Sequence, residues 1–216
     1  MTNIFTDRIY LLYLIPAAIL SLTIHEFSHA FVSYKLGDFT AKYAGRLTLN
    51  PFKHLELFGS IMFLIAGVGW AKPVPIDPRY YKNTKTGVML VSLAGPLSNL
   101  LIAFIALSMV YFFSNGVQLG FRNLRLVLLG FLALLYRINV GLAVFNLLPI
   151  PPLDGSKILG GLLPARQYYG MLRYQNYFTI GFFLLIFIIP SGVSMILNPM
   201  INFVDSILTF IVKMFV

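Results

Sequence analysis

The sequence contains no cysteine, and this absence limits the chemistry open to the protein. Disulfide bonds and thiolate metal sites are both excluded, so any bound metal must be held by histidine, aspartate or glutamate. The absence also means that cysteine usage says nothing about the redox compartment.

Charged residues are scarce as well, at 11% of 216 residues, whereas 58% are hydrophobic and the mean hydropathy is +0.83. A soluble domain of this length could not keep so much apolar surface away from water. Because no long polar stretch interrupts the chain, we expect a single integral membrane domain over residues 1–216, with a core at about 9–160 and additional helices in 161–216. The basic residues behind the net charge of +9 lie in short loops, where they set membrane orientation, so no nucleic-acid partner is predicted.

Six apolar stretches are candidates for membrane segments, at roughly 20 residues per crossing. They are Ile9–Leu36, Leu57–Trp70, Val88–Phe113, Leu126–Ile150, Tyr177–Pro190 and Met195–Phe215. The first contains no small-residue cleavage site and is interpreted as a retained span. The second is short, at roughly 14 residues, and contains three glycines, so it is a candidate re-entrant element.

The distribution of lysine and arginine favours that re-entrant element, because these residues concentrate on the cytoplasmic side. With a re-entrant second stretch, the basic residues other than Arg137, which lies within an apolar stretch, divide as twelve inside against three outside. The three outside are Arg8, Arg122 and Arg125, and a full crossing would change the division to nine against six. The prediction is an all-α polytopic protein of the cell membrane, with about five to six membrane helices, five of them full crossings, and one re-entrant element.

A small β-sheet at the membrane surface is also expected. The segment Gly37–Pro51 alternates apolar and polar residues with period two, as a short strand pair would. The segment AKPVPIDP, after Trp70, should be extended because each proline disfavours helix in the residue before it. An exposed sheet edge could pair with an extended peptide.

The first span contains the sequence HEFSH, in which His25 and His29 lie four residues apart on one helix face and can share a metal ion. Glu26 stands beside the first histidine, where its carboxylate can reach a water at the metal and act as a general base. Ionisable groups at the centre of a span cost about 2.5 to 3.5 kcal/mol each, so the cluster requires a compensating role. A satisfied polar cluster or a proton relay is the alternative to metal binding.

A catalytic zinc site needs a third protein ligand, and Asp154 in NLLPIPPLDG is the candidate. Pro149, Pro151 and Pro152 must break any helix before it, and the resulting turn could place its carboxylate beside the first span. The alternative is that Asp154 is only the N-cap of a helix that starts at Gly155.

These motifs resemble those of the site-2 proteases, the intramembrane zinc metallopeptidases. HEFSH and NLLPIPPLDG match the two defining motifs of that family, and GRLTLNP, GWAKPVP and AGPLSN look like its compact bacterial and archaeal branch, which lacks PDZ and CBS domains. The resemblance covers about Leu20 to Leu159. It implies one zinc ion per chain, held by His25, His29 and Asp154, with Glu26 as the catalytic base.

The resemblance also implies the substrates, which are membrane-anchored proteins cleaved in or next to a spanning segment near the cytoplasmic side, as in regulated intramembrane proteolysis. The lipid bilayer is the other partner, and a separate regulatory or adaptor protein is left open. Asn146 matches a polar position of the family that could stabilise an oxyanion; a hydrogen bond between helices is its alternative role. His54 is interpreted as structural or as a group near the substrate, Asn99 as a helix-packing residue, and Arg137 as a snorkelling or ion-paired residue.

Two other functions compete with proteolysis. A metal-binding transporter or channel would usually need polar groups through the full membrane depth, whereas this sequence clusters them at one depth. A catalytically dead relative acting as a membrane chaperone is disfavoured because every catalytic position is filled.

Overall fold

Helices make up nearly all of the regular structure in the computed structural model, which describes residues 8–66, 69–115, 122–164, 166–167, 170, 173–188 and 190–215. The helices are α1 (Arg8–Lys35), α2 (Thr40–Tyr43), α3 (Leu57–Ala66), α4 (Thr84–Asn115), α5 (Arg122–Asn146), α6 (Asp154–Leu162), α7 (Gln175–Ile188) and α8 (Pro190–Phe215). Two 3₁₀ turns lie at Pro51–Lys53 and Pro78–Tyr80.

Four of these helices, α1, α4, α5 and α8, are long and apolar enough to cross a membrane. Their outward surfaces are apolar too: Leu12, Leu101, Leu126 and Phe203 are each 59 to 70% exposed. Such surfaces are stable in contact with lipid and not in contact with water. The chain is therefore a mainly helical membrane protein, as predicted.

The predicted count of five crossings is not confirmed. The stretch Tyr177–Pro190 falls mainly in α7, which has 14 residues and a length of about 21 Å, less than the hydrocarbon thickness. Helix α3 is shorter still, with ten residues. In the described part of the chain, four helices meet the length and composition of a full crossing.

The two ends of the α3 segment meet. Leu55 and Ala71 form an antiparallel bridge, and the Lys72 N–H donates to the His54 carbonyl at 2.8 Å. Because residues before and after the segment are joined by these bonds, the chain enters and leaves it at the same place. This geometry favours the re-entrant interpretation of Leu57–Trp70, which stays a prediction.

The strand pair predicted for Gly37–Pro51 is wrong. The Thr40 N–H, at the first residue of the helical turn α2, donates to Asp38 Oδ1 at 2.9 Å, and the Phe52 N–H donates to Asn50 Oδ1 at 3.1 Å, which caps a 3₁₀ turn. These side-chain hydrogen bonds compete with strand pairing for the same backbone groups. The described residues contain no strand, only the isolated Leu55–Ala71 bridge, so the surface sheet is not confirmed.

Helix α4 lies at the centre of the fold and packs against α1, α5 and α6. Ala17, Ala103 and Ala106 are almost completely buried in the core between α1, α4 and α5. Small side chains let helix backbones approach closely, which is how helices associate in lipid. The close packing brings polar residues of these three helices within hydrogen-bond distance of one another.

Candidate metal centre

Helix α1 presents two buried histidines toward α4, one turn apart. The Nε2 atoms of His25 and His29 are 3.0 Å apart, and their rings are nearly perpendicular at 87°. A spacing of four residues places both side chains on the same helix face, which explains the meeting. The two nitrogen atoms therefore form one edge of a compact donor group.

Asp154 supplies the third corner of that group. Its Oδ2 lies 3.2 Å from His25 Nε2 and 3.1 Å from His29 Nε2, and its carboxylate is buried. Asp154 is the first residue of α6, and Leu153 occupies the N-cap position without a side-chain hydrogen bond. The alternative in which Asp154 caps a helix that starts at Gly155 is therefore wrong.

A glycine follows Asp154 because α6 begins very close to the end of α5. A Cβ atom on Gly155 would lie 2.2 Å from the Leu147 carbonyl oxygen and 2.3 Å from that of Leu148. Every other residue type would push α6 away from α5. The close approach fixes the start of α6, and with it the carboxylate beside α1.

The donor group has the dimensions of a zinc site. Its edges of 3.0 to 3.2 Å are close to the roughly 3.3 Å edges of a tetrahedron whose ligands lie about 2.0–2.1 Å from zinc. Helix α4 leaves room at this point, since a Cβ on Gly95 would lie 2.5 Å from both His25 Cε1 and His29 Nε2. Two imidazoles and one carboxylate are also a common catalytic zinc ligand set.

Each histidine is also oriented by a hydrogen bond at Nδ1, its other ring nitrogen. His29 Nδ1 is 2.6 Å from the Val91 carbonyl oxygen, and since a carbonyl only accepts, that nitrogen carries the proton. His25 Nδ1 is 2.6 Å from Asn99 Oδ1. A ring protonated at Nδ1 has its lone pair on Nε2, the atom that faces Asp154, as a metal ligand requires.

Glu26 lies beside this group on the wall of a cavity. Its Oε2 accepts a hydrogen bond from the Val74 N–H at 3.1 Å, so the carboxylate is oriented by the extended segment that follows Trp70. Glu26 is half-buried and is not one of the three grouped donors. The carboxylate is thus free to act on a group bound in the cavity.

The cavity has a volume of about 690 Å³, and its walls are mostly apolar. Met62 of α3, Trp70, Phe145 of α5 and Phe182 of α7 contribute large side chains, while His25, Glu26, His29 and Asp154 form its polar region. Its volume lies in the range of enzyme substrate pockets. An apolar chain segment of several residues suits such walls.

The remaining predicted residues lie in different places. Asn146 lines the cavity, and its Nδ2 donates to the Leu142 carbonyl of its own helix at 3.0 Å, rather than to another helix. His54 is buried outside the cavity lining, and its Nε2 donates to the Thr48 carbonyl at 2.7 Å. Asn99 is hydrogen-bonded to His25 itself, so it is connected to the metal centre more directly than the predicted helix-packing role implied. Arg137 is exposed on α5.

Sequence reasoning did not single out Arg46 as part of the site. Its guanidinium is buried and donates to the Lys72 carbonyl at 2.5 Å, two residues before the Val74 N–H that holds Glu26. Burial lowers the pKa of Arg46, and the negative charge of Glu26 partly offsets this effect. One loop arginine carries no distinguishing pattern, so only the fold reveals the contact.

The neighbours of this chain in sequence are named as metalloproteases. The model of "Peptidase family M50" matches residues 117–189. The "Putative zinc metalloprotease YwhC" of Bacillus subtilis is 43% identical over 201 residues, covering 88% of this chain and 86% of that protein. The "Putative zinc metalloprotease Rip2" of Mycobacterium tuberculosis is 32% identical over 179 residues, covering 80% and 65%.

A more distant relative, the "Zinc metalloprotease MJ0392" of Methanocaldococcus jannaschii, is 26% identical over 171 residues, covering 79% of this chain and 40% of that protein. No solved structure matches the chain significantly. The identity to the Bacillus protein extends over most of both chains. It agrees with the resemblance of the motifs and with the geometry of the donor group. The chain therefore belongs to peptidase family M50, the site-2 protease family of zinc metalloproteases.

Proposed function

We propose that the protein is an intramembrane zinc endopeptidase that hydrolyses peptide bonds in or next to the spanning segments of membrane-anchored proteins. His25, His29 and Asp154 are the metal ligands, and Glu26 is the general base. The observation that carries this proposal is the arrangement of three donor atoms within 3.2 Å of one another, with a separate carboxylate beside them on an apolar cavity.

Zinc bound by these ligands would supply a Lewis acid that polarises a peptide carbonyl and lowers the pKa of water. Glu26 accepts the proton that the attacking water loses and delivers it to the leaving amine. The hydrogen bond from Val74 keeps one oxygen of this carboxylate in place, and the other oxygen takes part in the proton transfer. Asn146 has a second N–H, which can donate to the oxyanion that forms on the substrate carbonyl.

The cavity walls support a substrate drawn from a membrane segment. Apolar side chains from five helices surround the polar region, so an apolar peptide loses little by leaving lipid and entering the cavity. A helix must unwind before a protease can cut it, because its carbonyls are engaged in intrahelical hydrogen bonds. The cavity volume of about 690 Å³ provides room for that unwound segment.

The position of the site along α1 supports cleavage near the cytoplasmic side. His29 lies six residues and His25 ten residues before Lys35, the last residue of α1, or about 9 and 15 Å by helical rise. Lys35, Lys42 and Lys53 mark this end as the basic one. The scissile bond is accordingly expected within the cytoplasmic half of the substrate helix.

The deciding experiment separates metal binding from catalysis. Purified wild-type protein should contain about one zinc per chain, and His29→Ala and Asp154→Ala should each lose zinc. Glu26→Gln should keep its zinc and lose cleavage by about 10²-fold or more, because glutamine cannot accept the proton. Zinc is measured by elemental analysis, and cleavage by mass spectrometry of new termini from single-span proteins co-reconstituted in liposomes.

Glu56→Gln is the matched control, since it makes the same change in a carboxylate outside the cavity lining. It should leave both zinc content and cleavage unchanged. Cleavage by Glu26→Gln at the wild-type rate would remove Glu26 from the mechanism. Zinc transport into liposomes without any cleaved product from the wild type would instead favour a transporter.

A further inference from the structure

A chain of buried polar side chains extends from His25 away from the cavity. It consists of Asn99 on α4, Asn139 on α5 and Ser21 on α1, and all three are completely buried. Three polar residues at one level between apolar helices are costly unless each is hydrogen-bonded. Here every link is made, and the donors and acceptors can be assigned one after another.

The assignment starts at a backbone carbonyl, which can only accept. The Ser21 hydroxyl donates to the Ala17 carbonyl at 2.6 Å, so Ser21 Oγ is left as an acceptor for Asn139 Nδ2 at 2.7 Å. Asn139 Nδ2 also donates to the Leu135 carbonyl at 2.8 Å. A flipped Asn139 amide would place its oxygen against the Leu135 carbonyl oxygen, so these two partners fix its orientation.

The fixed Asn139 amide then fixes the next residue. Its Oδ1 accepts from Asn99 Nδ2 at 2.7 Å, and Asn99 Nδ2 makes a longer contact of 3.4 Å with the Ser21 carbonyl. Asn99 must therefore present Oδ1, and not its amide nitrogen, to His25. An acceptor at this point requires the proton of His25 to be on Nδ1, which leaves the Nε2 lone pair for Asp154 and the metal.

We propose that Asn139 is a positioning residue for the metal centre, acting through Asn99 to set the tautomer and orientation of His25. This inference rests on the proposed role of His25 as a zinc ligand. His29 offers a contrast, because a backbone carbonyl at Val91 fixes its ring directly. Zinc affinity is thus sensitive, through His25, to a residue on α5 that does not line the cavity and whose hydrogen bonds go to none of the metal ligands.

The test measures zinc affinity of the full-length protein in detergent by competition with a chromophoric chelator. Asn139→Leu keeps the side-chain size but removes both the donors and the acceptor. Its zinc affinity should fall, at most by the about 10- to 100-fold that is usual when the direct partner of a metal ligand, here Asn99, is removed. Asn139→Asp, in its neutral form, retains an acceptor oxygen for Asn99 and an O–H donor for the Leu135 carbonyl, so it should recover part of that loss.

The pathway is tested by a double mutant. If Asn139 acts through Asn99, then Asn99→Leu/Asn139→Leu should bind zinc no more weakly than Asn99→Leu alone. Additive losses would mean that Asn139 acts independently of Asn99 and would overturn the proposal. Equal losses in Asn139→Leu and Asn139→Asp would do the same, because they would indicate a general packing defect.

Three further variants keep the result interpretable. Ser21→Ala removes only the far end of the chain and should reduce zinc affinity less than Asn139→Leu but more than Ser108→Ala, whose hydroxyl bonds within α4. If Ser21→Ala and Asn139→Leu both bind zinc like the wild type, while His25→Ala does not, the inference fails and the proposed function stands. Unchanged affinity in His25→Ala would overturn both.

Discussion

At the scale of single residues, Gly95 contributes to the metal centre by the side chain it lacks. Helix α4 passes so close to α1 that a Cβ at this position would lie 2.5 Å from His25 Cε1 and His29 Nε2. These are atoms of the metal-binding rings themselves. A methyl group there would displace at least one imidazole from the donor group.

We therefore expect Gly95→Ala to lose zinc. Overpacking of this kind costs about 1–3 kcal/mol, which corresponds to a fall in zinc affinity of about 5- to 150-fold if the rings move. Gly141→Ala on α5 is the matched control, since a Cβ there meets no atom within 4 Å. Chelator competition on both variants measures the difference, and equal affinities would show that α4 can move aside.

The sequence predicts the three proposed metal ligands and the proposed general base, but not the residues around them. HEFSH is local, so a helix brings His25 and His29 together whatever the fold, and the turn before Asp154 follows from its prolines. Their grouping is observed; their roles stay predictions. The partner of His25 lies 74 residues away and Asn139 a further 40, so no local pattern pairs them.

At the scale of elements, the carboxylate of Asp38 joins three segments near the end of α1. It accepts from the Ser33 hydroxyl at 2.8 Å, the Thr40 N–H at 2.9 Å and the Asp77 N–H at 2.8 Å. Burial raises the pKa of Asp38, but these hydrogen bonds to its charged form outweigh burial and lower the pKa below its ordinary 3.8. The ionised form therefore stabilises the folded state.

This shift predicts a specific acid sensitivity. A lowered folded pKa means that the contribution of Asp38 is fully present above its unfolded pKa of about 3.9 and is lost as the pH falls through the folded pKa. Asp38→Asn should lower stability by about 1–3 kcal/mol at pH 7, since its amide nitrogen would oppose an N–H donor. Its melting temperature should also depend less on pH below about 4 than that of the wild type.

Thermal unfolding of detergent-solubilised protein from pH 7 to pH 3 measures both effects. Glu56→Gln removes another carboxylate from the same region of the chain and serves as the control for net charge. Parallel acid limbs for the wild type and Asp38→Asn would contradict the proposed contribution of this carboxylate.

Long apolar helices were predictable, and the polar loops were not. The stretch Val88–Phe113 lies inside α4, which runs Thr84–Asn115, because lipid-facing and core-facing apolar residues both mark a span. The alternation in Gly37–Pro51 resembles a strand, yet the Asp38 side chain bonds the first N–H of one helical turn and Asn50 caps a second turn. Which backbone groups a short polar side chain will bind depends on its tertiary surroundings, so periodicity alone gave the wrong element.

At the scale of the whole molecule, the contacts on either side of α3 predict its topology. The bridge between Leu55 and Ala71 and the bond from the Asp77 N–H to Asp38 join the loop before α3 to the segment after it. We therefore predict that the two loops lie on the same side of the membrane. This prediction agrees with the division of basic residues derived from the positive-inside rule.

Single cysteines can test this arrangement without background, because the chain has none. Lys42→Cys and Lys82→Cys, both at exposed positions, should react with an impermeant maleimide from the cytoplasmic side only. Arg125→Cys, near the start of α5, should react only from the opposite side. Labelling of Lys42→Cys and Lys82→Cys from opposite sides would show that α3 crosses the membrane and that the site depth was wrongly assigned.

Composition predicted the membrane class, but the cavity emerges only from the assembled fold. Its wall combines residues of α1, α3, α4, α5, α6 and α7 with the segment that begins at position 69, and no sequence window contains more than a part of it. The predicted fifth crossing depends on α7. Its length of 14 residues is shorter than the roughly 20 residues of a typical span and is also compatible with a helix buried in the protein core.

Trp70, on the wall of that cavity, is the sole tryptophan of the chain. Indole emission responds to the polarity and quenchers around it, and no second indole contributes to the signal. The intrinsic tryptophan fluorescence of this protein therefore reports on the environment of the cavity wall. A peptide, a lipid tail or an inhibitor that enters can be titrated with no dye, no label and no turnover.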